Sequence, residues 1–297
     1  MRARLAGPRS LAADLVSAFK LRIGVVITAS AMGGIAVTPG PLPEAHRIAL
    51  LALAILLASA ASGAFNQIWE RALDARMKRT ARRPFVAGRL RAGPLWYAAI
   101  ALLLLAGGGL AALAANGWAA AYTLAGALTY GLVYTVWLKP RTWLNIVVGG
   151  AAGSFAVLAG AAAVDPGLAP EPVLLAIVLF LWTPPHFWAL AMAARDDYAR
   201  SGVPMLPVVM GEAVCARIVL AHILALSLIA LLPALFGMGP IYLAAAVSGG
   251  AWFCRAGFRL VREPSKKNAI LAFLASLAQL SLLLAGAVAD RLLLGAG

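Results

Sequence analysis

The sequence predicts an all-α, polytopic membrane protein with nine transmembrane helices, and three observations predict it. Of its 297 residues, 63% are hydrophobic and only 12% are charged. With a mean hydropathy of +0.89, this is far more apolar than a soluble domain of the same size requires. Nine apolar runs are each long enough to cross about 30 Å of hydrocarbon. The basic residues also alternate along the chain. Of 25 Lys and Arg, 23 fall in the N-terminal segment or in the connections after even-numbered runs, leaving only Arg47 and Arg291 on the other face.

The runs fall near residues 22–38, 47–69, 94–114, 117–137, 143–163, 171–193, 214–236, 240–259 and 268–289. The third and fourth are split only by Ala115, Asn116 and Gly117, which reads as a tight hairpin. Glycines such as Gly149, Gly150 and Gly153 allow helices to approach closely in lipid. The charge asymmetry places the N-terminus and the even-numbered exits in the cytoplasm and the C-terminus on the opposite face. It also accounts for the formal charge of +14 without nucleic acid as a partner. Residues 1–297 read as one integral-membrane domain with a basic N-terminal segment over 1–18. Within it, two halves are suggested, about 22–140 and 141–260, with 268–289 as a last span. Cys215 and Cys254 lie in apolar segments without metal or disulfide spacing and read as inert core thiols.

The second run exits into the most polar stretch of the chain. Asn66, Glu70 and Asp74 stand at i, i+4 and i+8, so on a helix they form one stripe that turns by about 40° per step. Arg79, Arg82 and Arg83 follow, and Pro84 and Gly88 mark the loop. Carboxylates are hard oxygen ligands for Mg²⁺, which shares its coordination shell readily with phosphates. Arginine forks bind the remaining phosphate oxygens. The stripe therefore suits a divalent cation that holds a polyanion. The sixth run exits into a second acidic cluster on the same face, Asp196 and Asp197, which needs a cation or an arginine to offset its repulsion. His186 lies eleven residues before Asp197 and is expected to share its helix face, beside the Pro184–Pro185 pair. Lys139 and Arg141, in the loop after the fourth run, are further candidate phosphate contacts.

The run N-x-x-x-E-x-x-x-D-x-x-M-x-R-T-x-x-R-P, from Asn66 to Pro84, resembles the first acidic motif of the UbiA superfamily of intramembrane prenyltransferases. The likeness continues through Leu138–Gly153, Thr183–Ala191 and Asp196–Val209, and is narrowest with the haem-farnesylating branch of that superfamily. The resemblance implies nine helices around a central cavity, with Mg²⁺ as cofactor held by Glu70, Asp74, Asp196 and Asp197. It implies that Asn66, Arg79, Arg83 and Lys139 bind the diphosphate of farnesyl diphosphate. Haem b would be the second substrate, converted to haem O, with His186 positioning the haem or a water. It also implies a bacterial plasma (inner) membrane location and a handover to a haem A synthase or a terminal oxidase assembly. Within enzymes the rival reading is a UbiA-type transferase acting on a quinone precursor or a chlorin; from a different class it is a transporter of a phosphorylated lipid or a divalent cation. That function would place acids in mid-span or on both faces, whereas both clusters here share one face.

Overall fold

The computed structural model describes residues 10–295 and is helical throughout, with no strand among those residues. Arg2, Arg4 and Arg9 of the basic N-terminal segment lie outside the described residues. A short helix α1 (Leu11–Ala18) meets α2 (Leu21–Val37) at a bend of 48°. There follow α3 (Ala45–Trp69), α4 (Pro94–Ala114), α5 (Gly117–Leu138), α6 (Asn145–Ala162) and α7 (Pro170–Ala193). The short α8 (Arg195–Ser201) precedes α9 (Glu212–Phe236), α10 (Pro240–Arg262) and α11 (Lys266–Leu294).

Seven of these helices are long and apolar enough to cross a membrane, and the bent α1–α2 pair makes an eighth. The expected nine therefore holds only approximately. The remaining run, α10, has 23 residues and reaches about 35 Å at 1.5 Å per residue. It nevertheless falls outside the apolar set, because Arg255, Arg259 and Arg262 occupy its last turns. The chain is a multi-pass membrane protein.

Successive long helices pack on one another and α11 returns to α2, closing a ring, while α2–α6 and α7–α11 bridge across it. Small residues make the α2–α6 crossing possible. A Cβ on Gly34 would overlap the Val157 carbonyl, and one on Gly160 would overlap the Ala31 carbonyl. Helix ends are tied across the bundle. Asp290 of α11 accepts from the amides of Gly239, Ile241 and Tyr242 at 2.7, 3.0 and 3.1 Å, satisfying the start of α10. Asn116 caps α5 by accepting from Ala119 N at 2.9 Å, which fixes the predicted α4–α5 hairpin. At the opposite end, Arg89 grips Asp14 of α1 with two hydrogen bonds, 2.7 and 2.9 Å. That hydrogen-bonded carboxylate holds the guanidinium above its ordinary pKa. The clamp fastens α1 to the long connection between α3 and α4.

Candidate active site

The stripe after α3 forms as the spacing predicts. Glu70 N donates to Asn66 O at 2.9 Å and Asp74 N donates to Glu70 O at 2.8 Å, so helical geometry continues past Trp69. Asn66, Glu70 and Asp74 are all buried. Beyond them the chain turns back on itself. Thr80 Oγ1 donates to Asp74 O at 2.8 Å, and Gly88, at φ +73°, supplies a left-handed step that suits glycine. This return brings Arg83 to Asp74, with Nη1 2.5 Å from Oδ2. From the end of α5, Lys139 Nζ reaches Glu70 Oε2 at 2.5 Å.

The second acidic cluster lies on α8, after a break at Ala194 (φ −117°, ψ 27°). Arg79 bridges the two clusters. Its backbone amide donates to Asp197 Oδ2 at 3.4 Å, and its guanidinium approaches the Tyr198 hydroxyl at 3.5 Å. Asp197 also pairs with Arg200. Connections nearly 120 residues apart in sequence thus meet at one end of the bundle. Asp196 is different. It is exposed and makes none of these contacts, and both acids line a surface depression with Lys78 and Arg195, outside the cavity that holds Glu70.

His186 does not share a face with Asp197. The break at Ala194 ends the helical register, so rotation cannot be extrapolated from residue 186 to residue 197. Instead His186 sits in the α7–α11 seam, with Nδ1 2.7 Å from Ser276 Oγ and its ring flanked by Trp182 and Phe273. Ser276 gives its single hydroxyl proton to Phe273 O at 2.6 Å. With that proton assigned to Phe273 O, the histidine donates from Nδ1 and Nε2 is its acceptor nitrogen.

Several residues join the site that the sequence reading counted only as topology or as span. Lys20 Nζ lies 2.5 Å from Asn66 Oδ1 and 2.8 Å from the Tyr130 hydroxyl. Asn66 Nδ2 donates to Thr135 Oγ1 at 2.8 Å, and that hydroxyl donates to Tyr130 O at 2.8 Å. The last bond spans five residues because the end of α5, Thr129–Leu138, is π-helical, a form associated with functional sites. The wider turn presents Tyr130, Thr135 and Lys139 to one side, where 3.6-residue periodicity gives no reason to look. Tyr130 and Tyr134 stack with their ring centroids 5.5 Å apart.

Most of these groups line a cavity that continues past Ile146 and Gly149 to Thr183, Phe187 and Leu190 of α7. Lys20, Arg79, Arg83 and Lys139 face Glu70 and Asp74, so cations outnumber carboxylates, as a polyanion site requires. No three acidic, histidine or cysteine side chains converge among the described residues as a ready-made metal centre. Glu70 Oε1, however, is buried without a hydrogen-bond partner. A hard cation would satisfy that oxygen, and Asp74, one helical turn further on, is the neighbouring donor it could share, while Asp197 stands in the adjoining surface depression.

The UbiA prenyltransferase family model matches residues 25–283. A protoheme IX farnesyltransferase 2 of Paramagnetospirillum magneticum is 54% identical over 281 residues, covering 95% of this chain and 98% of that protein. A protoheme IX farnesyltransferase of Acidovorax sp. (strain JS42) is 41% identical, covering 97% and 96%. Among solved structures, the apo form of a UbiA homologue from Aeropyrum pernix K1 superposes with a TM-score of 0.74 at 20% identity, covering 91% of this chain and 98% of that one. A UbiA homologue from Archaeoglobus fulgidus bound to DMAPP and Mg²⁺ gives 0.69 at 14% identity, covering 91% and 99%.

Proposed function

Because this chain belongs to the UbiA prenyltransferase family, alongside the protoheme IX farnesyltransferases, we propose that it transfers the farnesyl group of farnesyl diphosphate to a vinyl group of haem b, with addition of water, to give haem O. The observation that carries this reading is the convergence of Lys20, Arg79, Arg83 and Lys139 around two buried carboxylates at the mouth of an otherwise apolar cavity.

The mechanism follows from charge. As the allylic C–O bond breaks, the electron pair leaves with the diphosphate, whose oxygens gain negative charge. Arginine and lysine donors already in place stabilise that charge without reorganising. Glu70 and Asp74, with Asp197, would hold Mg²⁺, which would supply further positive charge to the departing group. Lys139 and Arg83 pair with these same carboxylates in the structure, so diphosphate binding lets them exchange a carboxylate for a phosphate oxygen. The aromatic faces of Tyr130 and Tyr134 sit beside the cage, where a developing allylic cation gains from π electrons. The haem vinyl group then attacks C1 of the farnesyl cation. Water captures the resulting benzylic-type cation and releases a proton, so atoms and charge balance.

The limb of the cavity along Thr183, Phe187 and Leu190 leads towards the aromatic seam that holds His186. The unprotonated Nε2 of His186 is the acceptor we assign to the porphyrin side or to the attacking water. By the basic-residue asymmetry, the carboxylate end faces the cytoplasm of a bacterial plasma membrane. The test uses purified protein in detergent with haem b, farnesyl diphosphate and Mg²⁺, followed by mass spectrometry of the extracted haem. A haem heavier by one farnesyl group and one water, lost on adding EDTA, supports the reading. Unchanged haem alongside prenylation of a quinone precursor or a chlorin would move the acceptor assignment, and no prenylation of any acceptor would overturn the reading.

A further inference from the structure

Helix α10 carries a charge that the chain itself does not balance. Arg255, Arg259 and Arg262 stand at i, i+4 and i+7, within about 60° of one another around the helix axis, and all three are exposed. Among the described residues none of them has a carboxylate partner. From residue 213 to residue 289 the sequence holds one acid, Glu263. It follows Arg262 directly, but the chain leaves helical geometry there (φ −140°, ψ 90°). Asn268 Nδ2 of α11 donates to Glu263 O at 2.9 Å and approaches Glu263 Oε2 at 3.4 Å, so this carboxylate is held by α11.

The surroundings are those of a lipid headgroup. The three arginines line a depression on the exposed face of α10 with Ala251, Cys254 and Phe258. Trp252 and Phe258 are exposed on the same stretch, and so is Val247, deeper along the helix. An exposed apolar face of this kind meets acyl chains, and tryptophan marks the level where chains give way to headgroups. Lys266, just beyond the end of α10, lines the surface depression that holds Asp197, which puts the arginines at the carboxylate end of the bundle. From Arg255 to Arg262 is about 10 Å along the axis, close to the polar layer of about 5–8 Å on each side of the hydrocarbon core. The helix dipole favours cations only in the last turn, so it accounts for Arg259 and Arg262 and leaves Arg255 unexplained. A guanidinium at the hydrocarbon border is costly unless it finds an anion.

We propose that the Arg255–Arg259–Arg262 face of α10 is a binding site for an anionic glycerophospholipid. The guanidiniums hold its phosphodiester while its acyl chains lie along Trp252 and Val247. Arginine forks match phosphate oxygens, and the anionic lipids of the cytoplasmic leaflet present such oxygens at the level of these side chains. An acidic protein segment would answer the guanidiniums but would leave the adjoining apolar face uncovered, so lipid is the occupant that satisfies both. The charge that keeps α10 out of the apolar set of helices is then offset by lipid, and the helix seats as a full span. The site does not depend on the prenyl-transfer reading.

The test adds phosphatidylglycerol or phosphatidylcholine to the full-length protein, delipidated in detergent, and reads bound lipid by native mass spectrometry beside the melting temperature. Phosphatidylglycerol is expected to be retained and to raise the melting temperature, and phosphatidylcholine to bind at least tenfold more weakly. Arg255→Gln, Arg259→Gln and Arg262→Gln together should weaken retention of phosphatidylglycerol by at least tenfold. Arg71→Gln, Arg76→Gln and Arg91→Gln together remove the same charge from exposed positions beyond the end of α3 and should leave retention unchanged. If the first triple variant does not fold, Arg255→Gln alone is read in the same way. Its expected loss is about fivefold, the scale of one basic residue near an anionic surface. Equal binding of the two lipids by the wild type, or equal losses in the two triple variants, would overturn the site. Inorganic phosphate and polyglutamate identify the source of the anion. If either protects the protein as well as the lipid does, the arginines take a free anion or an acidic protein segment, and the lipid assignment falls.

Discussion

Lys139 Nζ lies 2.5 Å from Glu70 Oε2, with both side chains almost fully buried, and this contact joins the end of α5 to the end of α3. The pair has two duties. Without ligand it neutralises a carboxylate that would otherwise sit unpaired away from water, and with diphosphate present the ammonium is the group best placed to turn to phosphate. Removing one member of a buried pair commonly costs 3–5 kcal/mol, whereas replacing both can be nearly neutral. Lys139→Met alone is therefore expected to lower stability by about 3 kcal/mol. Adding Glu70→Gln to it should recover most of that loss, while turnover stays down by about 100-fold because the phosphate contact is still missing. Thermal unfolding in detergent, set beside turnover for the two singles and the double, measures both effects. A double variant that regained activity with stability would show that the pair is only structural.

Asp74 is 1% exposed and is held by Arg83, itself partly open to the cavity. After Asp74→Ala, that guanidinium can still reach water, so the protein should remain folded in the membrane. Turnover should fall by about 10²–10³-fold, the scale seen when one group stabilising a developing charge is removed. Chelation should silence the wild-type enzyme reversibly. Glu70→Gln should raise the Mg²⁺ concentration needed for half-maximal rate, because the unpaired Glu70 Oε1 is the oxygen we assign to the cation. Magnesium titrations of activity check this directly, and an unchanged requirement would remove Glu70 from the ligand set.

Much of this was legible in sequence because hydropathy and charge alternation act over long segments. The positions of the long helices, the α4–α5 hairpin and the continuity of the Asn66–Glu70–Asp74 stripe all follow from local rules. What escaped depends on departures from regular geometry. Lys20 lies ahead of the first long span, and nothing in its neighbourhood tells that it reaches Asn66, 46 positions along the chain. Tyr130 and Thr135 join Lys139, which the sequence did mark, only because α5 ends in π-helix. His186 was placed on the wrong face because the chain leaves helical geometry at Ala194, a break that no glycine or proline announces. Helix α10 reads as apolar only if its arginine-bearing final turns are left out.

The α2–α6 crossing makes a prediction about the scaffold alone. Gly34 meets the Val157 carbonyl and Gly160 meets the Ala31 carbonyl, backbone against side-chain-free backbone, so neither neighbour can swing aside as a flexible side chain would. Gly34→Ala or Gly160→Ala should therefore separate the two helices and cost about 1–3 kcal/mol, the usual range for overpacking. Gly109, where an added methyl meets open space, is the control and should tolerate alanine. Melting temperatures of the three variants in one detergent decide the matter, and equal values would contradict the close-packing account.

Lys20 separates strain from chemistry. It stands at the α1–α2 bend with φ 51° and ψ 39°, a left-handed conformation that costs a non-glycine residue about 1–2 kcal/mol. A glycine would adopt it freely. The strain persists because the side chain is drawn to Asn66 and Tyr130 in the cavity that holds Glu70. Lys20→Gly relieves the backbone but deletes the ammonium, so stability and activity should part. The melting temperature should hold or rise, while affinity for prenyl diphosphate falls by about tenfold or more, the scale of one lost charge-assisted contact. Lys20→Ala keeps the strain and also loses the contact, so it should be the less stable of the two at similar activity. If both substitutions left diphosphate binding at the wild-type level, the strained bend would have to be explained by the packing of α1 alone.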